Sequence, residues 1–385
     1  MTEVENLLAL NMIEGLGPSR LRALLDHFGG PQEILKAGRS QLKAVPNIGQ
    51  TLSQAITGAR ETIDLKRELR LIERDRVKII TVFDEKYPAN LKEIFDPPIL
   101  LYVKGELLPG DIAAIAIVGS RRASLYGRST CESLSYQLAS YGISIVSGMA
   151  RGIDTAAHRG ALKGGGRTIA VLGSGLGSIY PPENVKLADE IASSGAIVSE
   201  FPMERPPYKE NFPRRNRVIS GLSLGVVVVE AAQRSGALIT AGFALEQGRE
   251  VFAVPGRADS FTSKGTHSLI KQGAKLVEGP EDILEELGPV LERYGRALET
   301  EAKIEKPLEP RLNEEERIIH DCLTEEPSHI DEVVGRCDFP PGQVLSTLTK
   351  LQIKRLVKEL PGKMFVKIAI SHQPSAISKK RKAES

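Results

Sequence analysis

The sequence has no tryptophan and only three cysteines in 385 residues. Cys131, Cys322 and Cys337 are odd in number and far apart. They form no CxxC pair and have no histidine pattern beside them, so they build neither a disulfide framework nor a zinc site. They read as reduced thiols of a cytoplasmic protein. No apolar run approaches the length that spans a bilayer, and Met1-Thr2-Glu3 lacks the basic-then-apolar opening of a signal peptide. No membrane insertion is expected. An excess of one charge is also missing: 51 Lys and Arg face 49 Asp and Glu, a formal net charge of +2. A polyanion partner can therefore show itself only through local clustering of arginines. Two phosphate-binding signatures are absent. GxxxxGK[ST] occurs nowhere, and where GxGxxG would follow the first central strand the chain reads Gly119-Ser120-Arg121. Gly173-Ser174-Gly175-Leu176-Gly177 has the wrong spacing. ATP hydrolysis of the P-loop type and NAD binding are set aside, and no cofactor is expected.

What is present is long enough for two or three domains. From Ile112 to about Leu287, short β-rich apolar runs alternate with helical stretches. The runs are Ala114–Val118, Ile143–Ser147, Thr168–Leu172, Ala196–Val198, Val226–Val229, Val251–Val254 and Lys275–Val277. Such spacing predicts βαβ units in a doubly wound, Rossmann-like α/β domain with a parallel sheet, whose ligands bind beyond the carboxyl ends of the strands. Glycine and arginine recur at those ends: Gly119-Ser120-Arg121-Arg122, Gly148 to Arg151, and Arg234-Ser235-Gly236. Small residues let backbone N–H groups approach a phosphate, so the repetition points to an extended anion-binding edge. Any single glycine turn would fit geometry alone.

The densest cluster is Phe212-Pro213-Arg214-Arg215-Asn216-Arg217. Proline suits the first position of a helix, which would put the three arginines on its first turn. Positive side chains there oppose the helix dipole unless an anion is bound between them. The other reading pairs them with surface carboxylates. Candidate acid/base groups are few: Asp154 with His158 at i,i+4 spacing, Glu200, and Glu230 at a strand end. None is joined to a nucleophile, and each fits a structural role equally well.

Before the central domain, Ile13–Pro18 and Val45–Gly49 are turns of the form apolar-x-Gly/Asn-apolar-Gly, similar to the hairpin of helix-hairpin-helix modules, which expose N–H groups to a DNA backbone. Asn47 replaces the first glycine of the second copy, and asparagine tolerates the left-handed region. Turns used only for packing fit as well. Arg60–Arg76 reads as one charged connecting helix. After the central domain, Glu299–Glu316 is a proline-bearing linker pattern. Three short helical patterns and two strands turning at Pro361-Gly362 then suggest a winged helix, with Lys350 and Lys354 at the end of its third helix. The expected organisation is a helix-hairpin-helix or SAM-like domain over 1–65, a Rossmann-like domain over 66–290 with a lead-in extension 66–111, a linker 291–311, a winged-helix domain 312–370 and a basic tail 371–385.

The central stretches Ile117–Arg121, Ser147–Asp154 with Ala157-His158, Tyr180-Pro181, Phe212–Ser223, Val229–Ala231 and Glu246–Arg249 through Pro255-Gly256 resemble the DNA-processing protein A family (DprA, also called Smf). The resemblance spans about Tyr87 to Val277, in order. It implies a protein that binds and protects single-stranded DNA, loads RecA recombinase during natural transformation, and works as a homodimer; that it is not an enzyme is expected from the residues, since Glu230 has no identifiable acid/base partner. Its anion site would fall on Gly119, Ser120, Arg121 and Phe212–Arg217. The full set of DNA-binding candidates is Gly119, Ser120, Arg121, Arg122, Arg151, Phe212, Arg214, Arg215, Asn216, Arg217 and Arg234. One departure is Gly265-Thr266-His267, where the family pattern leads one to expect asparagine at the third position. The competing function is a nucleotide-processing enzyme resembling the Rossmann-like phosphoribohydrolases, with Glu230 acting on a small phosphorylated ligand. A sequence-specific transcription factor that used the winged helix would leave the largest domain without a role.

Overall fold

The computed structural model describes residues 2–288, 290, 314–324, 328–337, 339–353, 357–360 and 362–367. The expected linker and basic tail, and Lys354, lie outside them. The chain divides into two compact units, Met1–Glu301 and Ala302–Ser385.

The first unit opens with six helices: α1 (Glu3–Asn11), α2 (Pro18–Phe28), α3 (Pro31–Lys36), α4 (Arg39–Lys43), α5 (Gln50–Thr62) and α6 (Leu65–Arg74). The two predicted hairpin turns are built alike. Gly15 and Asn47 both take left-handed φ, +82° and +63°, and Gly17 and Gly49 are the extended N-caps of α2 and α5. Asparagine meets a backbone demand that glycine meets in the first copy. The Arg60–Arg76 stretch is two helices rather than one. Asp64 breaks it, its carboxylate accepting from the Arg67 N–H at 2.9 Å as the cap of α6, a role that suits aspartate better than mid-helix. Leu7, Leu10, Leu21, Leu24 and Ile56 are fully buried in a core continuous with one face of the sheet.

That sheet has nine strands: β1 (Lys78–Thr81), β2 (Leu100–Gly105), β3 (Ala114–Val118), β4 (Ser144–Ser147), β5 (Thr168–Val171), β6 (Ala196–Ser199), β7 (Gly225–Val228), β8 (Glu250–Ala253) and β9 (Lys275–Leu276). Their order is β1-β2-β6-β5-β4-β3-β7-β8-β9. All seven predicted strands appear and pair in parallel. The lead-in extension belongs to the same sheet, because β2 pairs antiparallel with β6 and β1 with β2. Strand direction is a property of the partner and is not encoded in an apolar run.

Between the strands lie α7 (Ala89–Lys92), α8 (Leu125–Ser140), α9 (Ile153–Lys163), α10 (Val185–Ser194), α11 (Asn211–Gly221), α12 (Gly236–Glu246) and α13 (Lys264–Lys271). From β3 the chain steps through β4 and β5 to β6, then returns across the sheet to β7 on the other side of β3. The loops after β3 and β7 diverge there and leave a crevice at the carboxyl edge, the usual ligand position of doubly wound sheets.

The second unit contains α14 (Glu314–Asp321), β10 (Ser328–His329), α15 (Ile330–Arg336), α16 (Pro341–Ile353), β11 (Val357–Leu360) and β12 (Met364–Lys367). Its small sheet has the order β10-β12-β11. Ile319, Val333, Val344, Leu348 and Phe365 form its core. The architecture is a winged helix, with β10 as a short strand that the sequence pattern did not reveal.

The hairpin turns generate a stability test. Asn47→Val places a β-branched residue in the left-handed region and should cost about 1–2 kcal/mol in urea unfolding. Asn47→Gly should stay near wild type, and equal losses for both would show that the asparagine side chain, not φ, matters.

Candidate nucleic-acid interface

Helix α11 begins at Asn211, so Pro213 is its third residue rather than its first. The first four N–H groups of a helix lack intrahelical partners, so proline is still tolerated there. The shift matters less than the rotation of about 100° per residue, which sends the three arginines to different surroundings. Arg214 faces solvent with its guanidinium 5.2 Å above the Phe201 ring. Arg215 points inward, donating to the carbonyl oxygens of Gly148 at 2.6 Å and of Val171. Arg217 is buried too, its Nη2 2.5 Å from Glu200 Oε2 and its Nη1 donating to the Asp96 carbonyl at 2.6 Å. Arg217 therefore does not reach the crevice. It has the carboxylate partner that the second reading supposed, but beneath the surface.

Burial pulls the Arg215 guanidinium down to about 10, Asp154 acting against the fall and Arg121 adding to it. Glu200 lies above the usual carboxylate range because desolvation outweighs the attraction of Arg217 and Arg214. The loop after β4 is moulded around Arg215. A Cβ at Gly148 would collide with its guanidinium and with the Asp154 carboxylate. Met149 adopts φ +60° and is buried, with Asn184 Nδ2 donating to its carbonyl at 2.8 Å. A non-glycine residue held in this region is strain of the kind found at binding sites.

The crevice itself encloses about 310 Å³ between the ends of β3 and β7. Gly119, Ser120, Arg121, Phe212, Arg215 and Asn216 line it together. Arg121 is exposed, stands 4.9 Å over the Phe212 ring, and makes no hydrogen bond or ion pair among the described residues. Arg151 lies beside a smaller adjoining hollow with Tyr180 and is paired with Glu183. Arg122 and Arg234 are exposed outside the crevice. Tyr180, tilted against Phe212 at 6.1 Å, was not singled out for the site from its own chemistry. An aromatic next to proline is a common turn, so the sequence carried no distinct signal.

The acid/base candidates are engaged in structure. Glu230 is buried and accepts from Ser124 N at 2.9 Å and from Ser124 Oγ at 2.5 Å, anchoring the start of α8. His158 Nδ1 lies 2.7 Å from Thr168 Oγ1, and burial takes its pKa down to about 3. Asp154 accepts from the Ala150 N–H at 3.2 Å in the first turn of α9. At the departure noted at His267, Nε2 sits 3.0 Å from the Gly256 carbonyl oxygen, so the histidine ties α13 to the loop after β8. No cluster of three or more His, Cys, Asp or Glu fit for a metal occurs among the described residues.

A doubly wound sheet with an arginine and aromatic edge, preceded by tandem helical hairpins, together with a separate winged helix, defines a class of Rossmann-like nucleic-acid-processing proteins. The family model described as DNA recombination-mediator protein A matches residues 78–288. The DprA winged helix domain matches 303–363 and the SAM-like helix-hairpin-helix tandem 7–59. Protein Smf of Synechocystis sp. is 36% identical over 93% of this chain and 97% of its own. Protein Smf of Escherichia coli is 42% identical over 85% and 88%. The X-ray structure of DNA processing protein A from Streptococcus pneumoniae superposes with a TM-score of 0.66 at 36% identity, over 74% of this chain and 99% of that one. A structure of the Helicobacter pylori protein, described for its single-stranded DNA binding mode, has a TM-score of 0.50 at 32% identity over 55% and 97%. The chain belongs to the DNA-processing protein A (DprA/Smf) family.

Two outcomes follow from the buried groups. Arg217→Ala leaves Glu200 as an uncompensated buried charge and should lower stability by about 3–5 kcal/mol in urea unfolding, while the folded fraction keeps the salt slope of any DNA binding; a slope change without a stability loss would put Arg217 on the binding surface. His158 has a folded pKa below its unfolded value, so only the unfolded chain takes up its proton between about pH 6.5 and 3, and stability must fall as pH falls through that window. Its share of the slope is up to about 1.4 kcal/mol per pH unit. His158→Asn should unfold with a shallower loss between pH 7 and 5, and identical slopes would deny the histidine that role.

Proposed function

We propose that the chain binds single-stranded DNA at the carboxyl edge of the sheet and does so without catalysis. The observation that carries this reading is Arg121, without a hydrogen bond or ion pair among the described residues and stacked over Phe212 at the mouth of the crevice. A guanidinium held on a ring offers its N–H fork to a phosphate while the half-buried ring offers its accessible part to a base, the combination that sequence-tolerant single-strand binders use. Gly119, Ser120 and Asn216 complete the contact surface of the crevice, with Arg122, Arg151, Arg214 and Arg234 around it as further phosphate partners. Arg215 shapes the floor. Membership of the family and the single-stranded DNA binding named for the Helicobacter pylori relative support the same reading.

Handing the strand to RecA recombinase during transformation, in the cytoplasm and as a homodimer, is the further part of this proposal and rests on the family resemblance. A two-fold pair would set two anion edges along one strand and gain avidity. The phosphoribohydrolase reading is the less favoured one, because both Glu230 carboxylate oxygens are engaged by Ser124, its N–H and its hydroxyl, in holding the start of α8.

Arg121→Ala should weaken binding to oligodeoxynucleotides of any sequence and reduce the slope of log K against log salt by roughly 0.7, the share of one phosphate on a single strand. Phe212→Ala should cost about 1–3 kcal/mol of affinity by loss of stacking. Fluorescence anisotropy across a salt series measures both, beside a duplex of equal length that should bind more weakly. Tighter duplex binding, or base release from nucleoside monophosphates that Glu230→Gln abolishes, would overturn the reading. Light scattering with and without the oligonucleotide tests the dimer.

A further inference from the structure

The cation–π contacts of the described residues all gather along one margin of the molecule. Beyond Arg121 and Arg215 at Phe212, Arg214 stands 5.2 Å over Phe201 and Arg205 stands 4.9 Å over Tyr208. Phe201 to Tyr208 form the connection from β6 toward α11, so these pairs continue the Arg121/Phe212 edge rather than start a separate one. The connection leads to a second cleft of about 350 Å³. One wall of it is the first helical hairpin, Ile13 to Pro18, with Arg20. The other is Glu200 to Pro202 with Arg205 and Arg214. The walls are tied together by Asn11 Nδ2, which donates to the Glu200 carbonyl at 3.1 Å.

The charge balance of this cleft favours an anion. Arg214 makes no hydrogen bond or ion pair among the described residues, and Arg20 donates only to the Gly15 carbonyl oxygen. Glu200 is already committed to Arg217. Glu14 is the remaining acid of the wall. It holds Arg205 at 3.3 Å from a side chain that is 82% exposed, a pairing that water screens strongly. A phosphate entering the cleft could displace Glu14 at small cost.

We propose that the single strand crossing Phe212 continues along Phe201 to Tyr208 into this cleft, where Arg20, Arg205 and Arg214 take one or two of its backbone phosphates. Tyr208, 45% exposed, offers a ring to an intervening base. The helical hairpin thereby becomes part of one nucleic-acid track with the sheet edge. The proposal rests on the single-strand binding proposed above, and strand length separates the two. A thymidylate strand of about 6 nucleotides can occupy only the crevice, whereas one of about 20 can fill both subsites.

The test is anisotropy with both strands on the full chain. Arg20→Ala combined with Arg205→Ala should leave the short strand bound as by wild type. It should weaken the long strand about tenfold and lower its salt slope by roughly 0.7–1.4, one to two phosphates. Glu14→Gln, which releases Arg205, should tighten the long strand alone, an effect that mere damage to the fold cannot produce. Equal affinities of the double variant and wild type for the long strand would overturn the proposal. So would equal losses on both strands, or a Glu14→Gln variant that binds the long strand no tighter. Failure of wild type to bind either length would instead sink the single-strand reading, and this extension with it.

Discussion

The buried pair of Arg217 with Glu200 holds the crevice edge in shape. It joins α11 to the end of β6, and through the Asp96 contacts it reaches the segment that leads into β2. Two charges withdrawn from water are tolerated only as partners, so each fixes the other's position within a narrow range. With Arg217 anchored below, the helical twist dictates what its neighbours do. Arg215 must run under the loops after β4 and β5, and Arg214 must turn outward. An arginine cluster that looks like one site is thus a fastening, a floor and a contact.

The second constraint is the topology at β3. Because the chain winds away to β6 before returning to β7, the loop bearing Ser120 and Arg121 is left beside the loop after β7, with α11 packed close by. Ser120 N–H donates to the Glu230 carbonyl at 2.8 Å, which closes the strand ends together. The Glu230 side chain then fixes the start of α8 through Ser124. One residue at the switch point supports both neighbouring loops, which gives a buried acid beside an arginine-bearing crevice a structural role.

Placement of the small modules follows the same economy of parts. The helical hairpins share a hydrophobic core with the sheet, so the cleft beside Phe201 has walls from both. At Phe212 and Phe201 the rings carry the exposed Arg121 and Arg214, and a guanidinium on a ring face keeps its N–H groups free. Exposure and positive charge can then persist together in a protein whose total charge is close to neutral.

Much of this was legible in the sequence. The seven apolar runs, their glycine turns and the βαβ spacing determined the doubly wound sheet, since each depends on local periodicity and on where glycine is needed. Asn47 was equally readable, because its left-handed φ is a demand within one turn. The family resemblance grouped Gly119, Ser120 and Arg121 with Phe212, and the fold brings the four to one crevice. Only the tertiary structure decided that β1 and β2 extend the sheet antiparallel, since direction belongs to the partner strand. It alone separated Arg214 from Arg215 and Arg217, because partners far away in the chain, Gly148, Val171 and Glu200, determine which guanidinium is buried. The sequence names charges, but their availability is set by what the fold packs against them.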